Sequence, residues 1–428
     1  MDAPQRARTC NRIPAKCSSQ SQRGEKQITI PMSRDQFDDC WHDSGKMRSV
    51  VDRLILESPE LFPACLLNGY AFHGFARPSK KQDGLRLRKI RPRAGVEAFH
   101  LRPAFVMSYM MGVMDELEHP LLLASFGVPC WVLTKVFGRN DMYWQRLLER
   151  LGRHSIVGTT VRDPERLPEH LAADEKHVDW NGEKGYLATT AAEGCLLGVG
   201  LTSAADDKHL EAAYGDFAQE AKEVKPDYTP KTVNTDGWTA TQNAFKALFP
   251  TITLILCFLH GFLKVRDRCR KNHDLHRRIW EVYWAKTADG FRSGMASLWT
   301  WFQEQKGWPH AVMEAMRKLC KRTEEYVVAY ANPGCRRTSN AVDRPMNRIT
   351  RLLYTSRGIH GHQANSERRL RGLALLYNFR PFAYRSGQKR EHQSRAHRLN
   401  GKQYSEYWLE NLQISGSLMG RRAAPAIR

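Results

Sequence analysis

The spacing of apolar residues changes repeatedly through the middle of the chain. Alternation predicts three strands, Asp174 to Val178, Tyr186 to Thr190 and Cys195 to Thr202, with Asn181-Gly182 and Glu193-Gly194 as hairpin turns. These would form an antiparallel meander. Leu210, Tyr214, Phe217 and Ala221 then recur at helical spacing within DDKHLEAAYGDFAQEAKEV. After Pro226 and Pro230, Thr232 to Asp236 reads as a strand ending on an acid. Ala240, Ala244, Phe245 and Leu248 mark a helix that Pro250 ends, and Ile252 to Leu256 is a second apolar strand. Strand, helix, strand implies a right-handed crossover onto a parallel sheet, with Asp236 at its carboxyl edge, where α/β proteins build their sites.

The flanking regions read differently. Residues 28 to 75 mix short helical segments, such as Met47 to Leu56, with aromatics. From Arg77 to Arg102 there are nine Lys or Arg (77, 80, 81, 86, 88, 89, 91, 93, 102) against Asp83 and Glu97. Leu85-Arg86-Leu87-Arg88 alternates there, and Gly95 offers a turn into Val96 to Leu101. This is either a basic hairpin lying along phosphates, through Arg86, Arg88, Lys89 and Arg91, or a solvated run of charge. Residues 104 to 152 read as helices throughout. AFVMSYMMGVMDELEHP would be closed by Pro120, and Gly127-Val128-Pro129 and Gly138-Arg139-Asn140-Asp141 would be breaks. Short helices with tight Gly turns fit a helix-turn-helix, with Arg139, Gln145, Arg146 and Arg150 as DNA contacts and Trp131, Phe137 and Trp144 as its small core; an ordinary helical bundle fits as well. Arg162-Asp163-Pro164 and Pro168 look like a linker.

Composition adds a partner. The 428 residues carry 66 Lys or Arg against 45 acids, a formal charge of +21, with 42% hydrophobic residues. Two or three globular domains and a polyanionic ligand, nucleic acid first, are expected. No apolar run approaches the roughly 20 residues that span a bilayer. The first 27 residues are polar with scattered Arg and no apolar segment of a secretory signal, so they are read as disordered. Scattered cysteines in apolar contexts suit reduced thiols and a cytoplasmic, nucleoid-associated protein.

Two carboxylates on neighbouring strands suit Mg²⁺ or Mn²⁺, which take few protein oxygens and leave positions for water and phosphate. With a third acid they can hold two ions about 4 Å apart. Asp174 and Asp236 are the first two. The third is Asp343 in RRTSNAVDRPMNRITRLLY, for which a helix N-cap before Arg344-Pro345 is the other reading; Glu324, Glu325 and Glu367 are weaker alternatives. Arg344, Arg348 and Arg351, with Arg368, Arg369 and Arg371, could hold DNA backbone near the metal. Cys257, His260, Cys269 and His273 have zinc-type ligand identities but a shorter interval than common fingers. Trp280, Trp284, Trp299, Trp301 and Trp308 serve either a helical core or base stacking. The tail from Arg380 has ten Lys or Arg against three acids (391, 406, 410) and is expected to be a DNA-contacting extension.

The strand and helix order β-β-β-α-β-α-β-α is that of the ribonuclease-H-like fold. Asp174-Glu175, T-D-G-W at 235 to 238, C-F-L-H at 257 to 260 and S-N-x-x-D at 339 to 343 together resemble a DDE/D transposase of a bacterial insertion sequence, in the Mutator-like and hAT-like group. The resemblance covers roughly residues 105 to 380. It implies a C/D-x-x-H motif after the second acid, with His260 beside the active site, and an all-helical insertion before the third; 343 − 236 = 107 positions leave room for one. The third acid is Asp where most relatives have Glu. The implied organisation is a disordered 1–27, a DNA-binding region 28–162, an α/β ribonuclease-H-like catalytic domain in two parts, 163–260 and 333–380, around a helical insertion 261–332, and a basic tail 381–428. The implied activity is metal-dependent cleavage of DNA at element ends and strand transfer into target DNA by a homodimer or larger assembly, with no membrane partner. A ribonuclease-H-like nuclease without strand transfer, and an inactive DNA-binding derivative, are the alternatives.

Overall fold

The computed structural model describes residues 26–108, 111–383 and 394–421. The segment expected to be disordered, 1–27, lies outside the described residues except for its last two. The described residues form a mixed α/β structure with two sheets. Among the described residues no helix is long and apolar enough to cross a membrane.

The first sheet contains β1 (Gln27–Ile30), β2 (Tyr70–Phe75), β3 (Arg88–Pro92) and β4 (Phe99–Pro103), in the order β1-β4-β3-β2. The turn around Gly95 joins β3 and β4 as expected, but Leu85 to Leu87 lie before the strand. They belong to a loop closed by Ser79 N–H donating to Leu85 O (3.0 Å) and Ala76 N–H donating to Leu87 O (2.8 Å). Alternation along β3 buries Arg88, Ile90 and Pro92 and leaves Arg91 outside, so the cationic face is shorter than the sequence pattern implies.

The second sheet contains β5 (His170–Trp180), β6 (Glu183–Ala192), β7 (Cys195–Thr202), β8 (Thr232–Thr235) and β9 (Thr253–Leu256), in the order β7-β6-β5-β8-β9. β5, β6 and β7 pair antiparallel, whereas β8 is parallel to both β5 and β9. Asn181-Gly182 and Glu193-Gly194 make two-residue turns with positive φ at both positions, the geometry whose twist matches paired strands. Leu171 and Ala173 of β5 face a core shared with helices Asp207–Val224 and Thr239–Leu248. Ala172 and Val178 face the opposite core, shared with helices Asn340–Thr355 and Gln363–Phe379. Between β9 and the 340–355 helix stand helices Phe258–Arg266, His273–Tyr283, Ala288–Glu304, His310–Lys321 and Thr323–Val327, around a core of their own. Trp280, Trp299, Trp301 and Trp308 pack against that core, while Trp284 is 73% exposed.

Several expectations need correction. Residues 104–107 and 111–113 are not helical, and 109–110 lie outside the described residues; the α-helix runs Met114–Ser125 and continues through Pro120. A proline there costs the bond to the carbonyl four residues back, and that residue, Glu116, is exposed. Trp131 is not core but 59% exposed, and Phe137 is also exposed, leaving Trp144 as the buried member of the trio. The stretch read as a linker is locked, because the buried Arg162 guanidinium donates to Gly158 O (3.0 Å), Ser415 O (3.0 Å) and Glu60 O (2.6 Å). The described part of the tail, 394–421, is a strap tied into the fold; residues 384–393 and 422–428 lie outside the described residues. Its helix Trp408–Ser415 is largely buried, Ile414 and Leu418 join the core of the first sheet, and Thr29 N–H of β1 donates to Ser417 Oγ (3.2 Å).

Gln413 shows what the strap holds. Its buried Oε1 accepts from Arg102 Nη1 (3.0 Å) and from Ser108 N–H (3.3 Å). Gln413→Leu leaves both donors short of an acceptor in a site without water access. The expected loss is about 1–3 kcal/mol in urea denaturation, with the slope of the transition unchanged.

Candidate active site

The register between β5 and β8 pairs His170 with Thr232, Leu171 with Val233 and Ala172 with Asn234. Continued by two residues, it sets Asp174 beside Asp236, at the carboxyl end of β8. The backbone turns away immediately after Asp236. Gly237 has φ 87°, and a Cβ there would stand 2.6 Å from Leu256 Cδ1, so glycine is required on both counts. Asp236 Oδ1 accepts from Trp238 N–H (2.8 Å), which fixes the carboxylate at the start of the following helix.

Asp343 lies in the first turn of helix Asn340–Thr355, inside the helix rather than capping it. Ser339 Oγ donates to Asp343 Oδ2 (3.0 Å) and lies 3.5 Å from His260 Nδ1, while Ser339 N–H donates to Cys257 Sγ (3.2 Å). Cys257 closes β9, with its N–H donating to Thr235 O (2.8 Å). His260 sits in the first turn of helix Phe258–Arg266. One serine thus connects the third acid, the histidine and the strand next to the second acid.

The electrostatics of the four groups are coupled. Burial pushes the Asp174 carboxyl up to about 7; the charges of Asp343, Glu175 and Asp236 act in the same direction, and His260 opposes them. His260 is raised to about 9, first by its hydrogen bond with Cys257 and then by the charges of Cys257, Asp174 and Asp236, against the opposite effect of burial. Sequence reasoning gave Glu175 no role. Its side chain points to the other face of β5, where Tyr214 and Thr241 hydroxyls each donate to Oε1 at 2.6 Å, and burial raises its pKa. The adjacent pair Asp174-Glu175, one acid per face of a strand, was the available signal. Ser339 was visible only as part of S-N-x-x-D.

The donor set suits a hard divalent cation, because carboxylate oxygens are the ligands such an ion prefers and a positive charge would relieve the crowding that keeps Asp174 protonated near neutrality. Asp174, Asp236 and Asp343 are the residues that would hold it. As they stand, no three Asp, Glu, His or Cys side chains among the described residues are grouped to hold a metal ion. The other acids considered are engaged elsewhere: Glu324 with Arg292, Glu325 with Arg322, and Glu367 as acceptor of Leu201 N–H. The zinc-type set is divided, since Cys269 donates to Val265 O and its nearest histidine contact is His276.

The predicted DNA contacts separate into outward and inward groups. Arg86, Arg91, Arg139, Arg146 and Arg351 are exposed, and Lys89 is half-buried. Arg88 is buried, donating to Trp41 O and Ser44 Oγ beneath Phe72 and Phe75, and is withdrawn from any ligand. Arg371 is likewise internal, bonded to Glu220 and to Gly152 O and His154 O. Arg369 bonds to His360 O and Ser366 Oγ. The side chains of Arg344 and Arg348 lie outside the described residues. Beyond Asp236 and Cys257 a cleft of about 640 Å³ extends along the helical interval, with Lys264, Arg268, Lys318, Lys321 and Arg322 on its walls and Glu314 among them. No protein-family model matches this chain, and no curated protein matches it.

A carboxyl whose folded-state pKa is raised binds its proton more tightly in the fold. Its stabilisation is complete below the unfolded value, near 3.8, and is lost as pH rises through about 7. Asp174→Asn, measured in a chelating buffer, should therefore gain stability relative to wild type between pH 4 and pH 7 and differ little at pH 4 or below. The same substitution should lower the His260 imidazole titration midpoint in NMR, since it removes one of the carboxylates that raise it.

Proposed function

We propose that this protein is a DNA transposase of the DDE/D type, with a ribonuclease-H-like catalytic domain, a helical insertion and a DNA-binding N-terminal region. The observation that carries this reading is the electrostatic coupling of Asp174 and Asp236, from two neighbouring strands, with Asp343 and His260, each from the first turn of a helix. Three antiparallel strands followed by two parallel ones, in the order β7-β6-β5-β8-β9, support the fold. The five helices between β9 and Asp343 occupy the place of the insertion. Helices Cys130–Phe137 and Asp141–Leu151, joined by Gly138-Arg139-Asn140, support a helix-turn-helix.

Asp174, Asp236 and Asp343 would hold Mg²⁺ or Mn²⁺, which when bound would supply activation of the attacking oxygen and neutralisation of the leaving one. His260, protonated through neutral pH and with Nδ1 toward Ser339, places positive charge beside the acids and can donate from Nε2 to a phosphate oxygen. Ser339 keeps Asp343 and His260 in register with each other. Water opens a phosphodiester at an element end and frees a 3′-hydroxyl; that hydroxyl attacks a target phosphodiester in line, giving up its proton as the target's own 3′-oxygen leaves, with no covalent protein intermediate. Joining two ends in concert calls for a homodimer or larger assembly.

The test is a nicking and strand-transfer assay on end DNA with Mg²⁺ or Mn²⁺. Asp174→Asn, Asp236→Asn and Asp343→Asn should each reduce both steps by at least about 10³-fold while DNA binding persists, and His260→Ala by about 10²-fold. Cleavage without joining would make the protein a nuclease of this fold. Binding without either step in the wild type would reduce it to a DNA-binding derivative, and full activity in Asp343→Asn would remove that residue from the site.

A further inference from the structure

A second cationic cavity lies apart from the acids, between the loop preceding β3 and helix Asp141–Leu151. It encloses about 400 Å³ and is lined by Lys81 and Gln82 on one side and by Arg139, Asn140, Arg146 and Arg150 on the other. Met111 and Tyr143 complete the lining, and among the described residues no acidic one belongs to it.

Both walls are built rather than loose. The loop is closed by Ser79 N–H donating to Leu85 O (3.0 Å), Gly84 N–H to Ser79 O (3.1 Å) and Leu85 N–H to Gln82 O (2.7 Å); Lys81 N–H donates to Ser79 Oγ (3.2 Å). Asp83 and Gly84 take the positive φ that so tight a reversal needs. On the opposite wall Asn140 Oδ1 caps the helix by accepting from Tyr143 N–H (2.8 Å), and Arg146 and Arg150 follow one helical turn apart on one face. The Tyr143 hydroxyl donates to Met111 O (2.7 Å), fixing the floor. Arg139 stands 5.5 Å over the Tyr143 ring and 3.6 Å from Glu116, in an ion pair whose side chains are both more than half exposed. Such a pair is worth little in water and is readily exchanged for a stronger anion.

We propose that this cleft is a backbone clamp that holds phosphates of double-stranded DNA, independently of sequence and away from the acids. The clamp rests on the reading of the protein as a DNA-binding enzyme. Four cations with planar or point-charge donors and no acid among them select phosphate oxygens. A single strand would call for an open aromatic face on which bases stack, and the ring among the described lining residues, Tyr143, is covered by Arg139 and tethered to Met111. The two walls come from separate parts of the N-terminal region, so a phosphate held between them also ties the first sheet to the helical pair.

The test uses the full chain, two labelled duplexes of unrelated sequence, and the dependence of affinity on salt. Each phosphate contact contributes about 0.9 to the slope of log K against log salt. Arg146→Gln and Lys81→Gln should each lower that slope by about one contact and weaken both duplexes equally, with thermal melting unchanged. Arg146→Lys should restore most of the slope, which a purely structural arginine would not allow. An unchanged slope in either Gln variant overturns the clamp, and so does a loss confined to one duplex, which would mark base readout. Inorganic phosphate and ATP form a separate arm. If they bind in an Arg146-dependent way while the DNA slope ignores Arg146→Gln, the cleft is a site for free anions and the proposal fails. Asp174→Asn should keep the wild-type slope. A protein that clamps DNA but never nicks it would refute the transposase reading alone, and one that nicks with an unchanged slope in Arg146→Gln would refute the clamp alone.

Discussion

The site depends on the register of one parallel strand pair. β5 and β8 are held by only three aligned residue pairs, and a slip of one residue would exchange the faces of Asp174 and Glu175. Asp174 would then point at Tyr214 and Thr241, and Glu175 at the helix of Asp343. The observed arrangement makes that slip costly from both sides. Glu175 is held by two hydroxyls from two different helices, and on the Asp174 face Lys176 Nζ donates to Asn347 Oδ1 (3.2 Å) in the helix of the third acid. Glu175 therefore acts on the reactive face by fixing where its neighbour points.

A large positive charge invites every arginine to be read as a DNA contact, and the fold divides them. Arg88, Arg102, Arg162, Arg371 and Arg380 are buried, and each reaches backbone carbonyls or side chains of distant segments. A guanidinium offers five donors in a rigid fork, enough to satisfy several orphan acceptors at once where three chain segments meet. The net charge still favours a polyanion, but the surface that meets it is smaller than a count of basic residues suggests.

The middle of the chain was legible because its signals are local. Asn-Gly and Glu-Gly turns, period-two strands and a helix with one apolar stripe each specify themselves within a few residues, and the strand limits moved by only a few positions. What was hidden depends on partners far away in sequence. Nothing near Gln413 or Ser417 announces that they meet Arg102 and Thr29, and the polar, basic composition of the tail argued for solvent. Residues 104–113 failed for a related reason. An apolar run fits a helix or a buried extended segment equally well, and at Val106 and Val113 an antiparallel bridge selects the second.

The long interval between the second and third acids is also explained by contacts at its two ends. The chain leaves β9 at Cys257 and returns at Ser339, and the two ends touch: Phe258 N–H donates to Arg337 O (3.0 Å) and Ser339 N–H to Cys257 Sγ (3.2 Å). Arg337 is itself set into the helical interval, over the rings of Tyr283, Phe291 and Tyr330 and with Nη2 donating to Tyr283 O (2.6 Å). Closing a long excursion costs only slightly more entropy than closing a short one, since the cost grows with the logarithm of length. The folded interval offsets that cost with its own core, and the same core positions Arg337, two residues before the serine that holds Asp343. The third acid, remote in sequence and carried on a helix rather than on a strand, is thereby placed jointly by the packing of its helix on the sheet and by the helices that separate it from the other two.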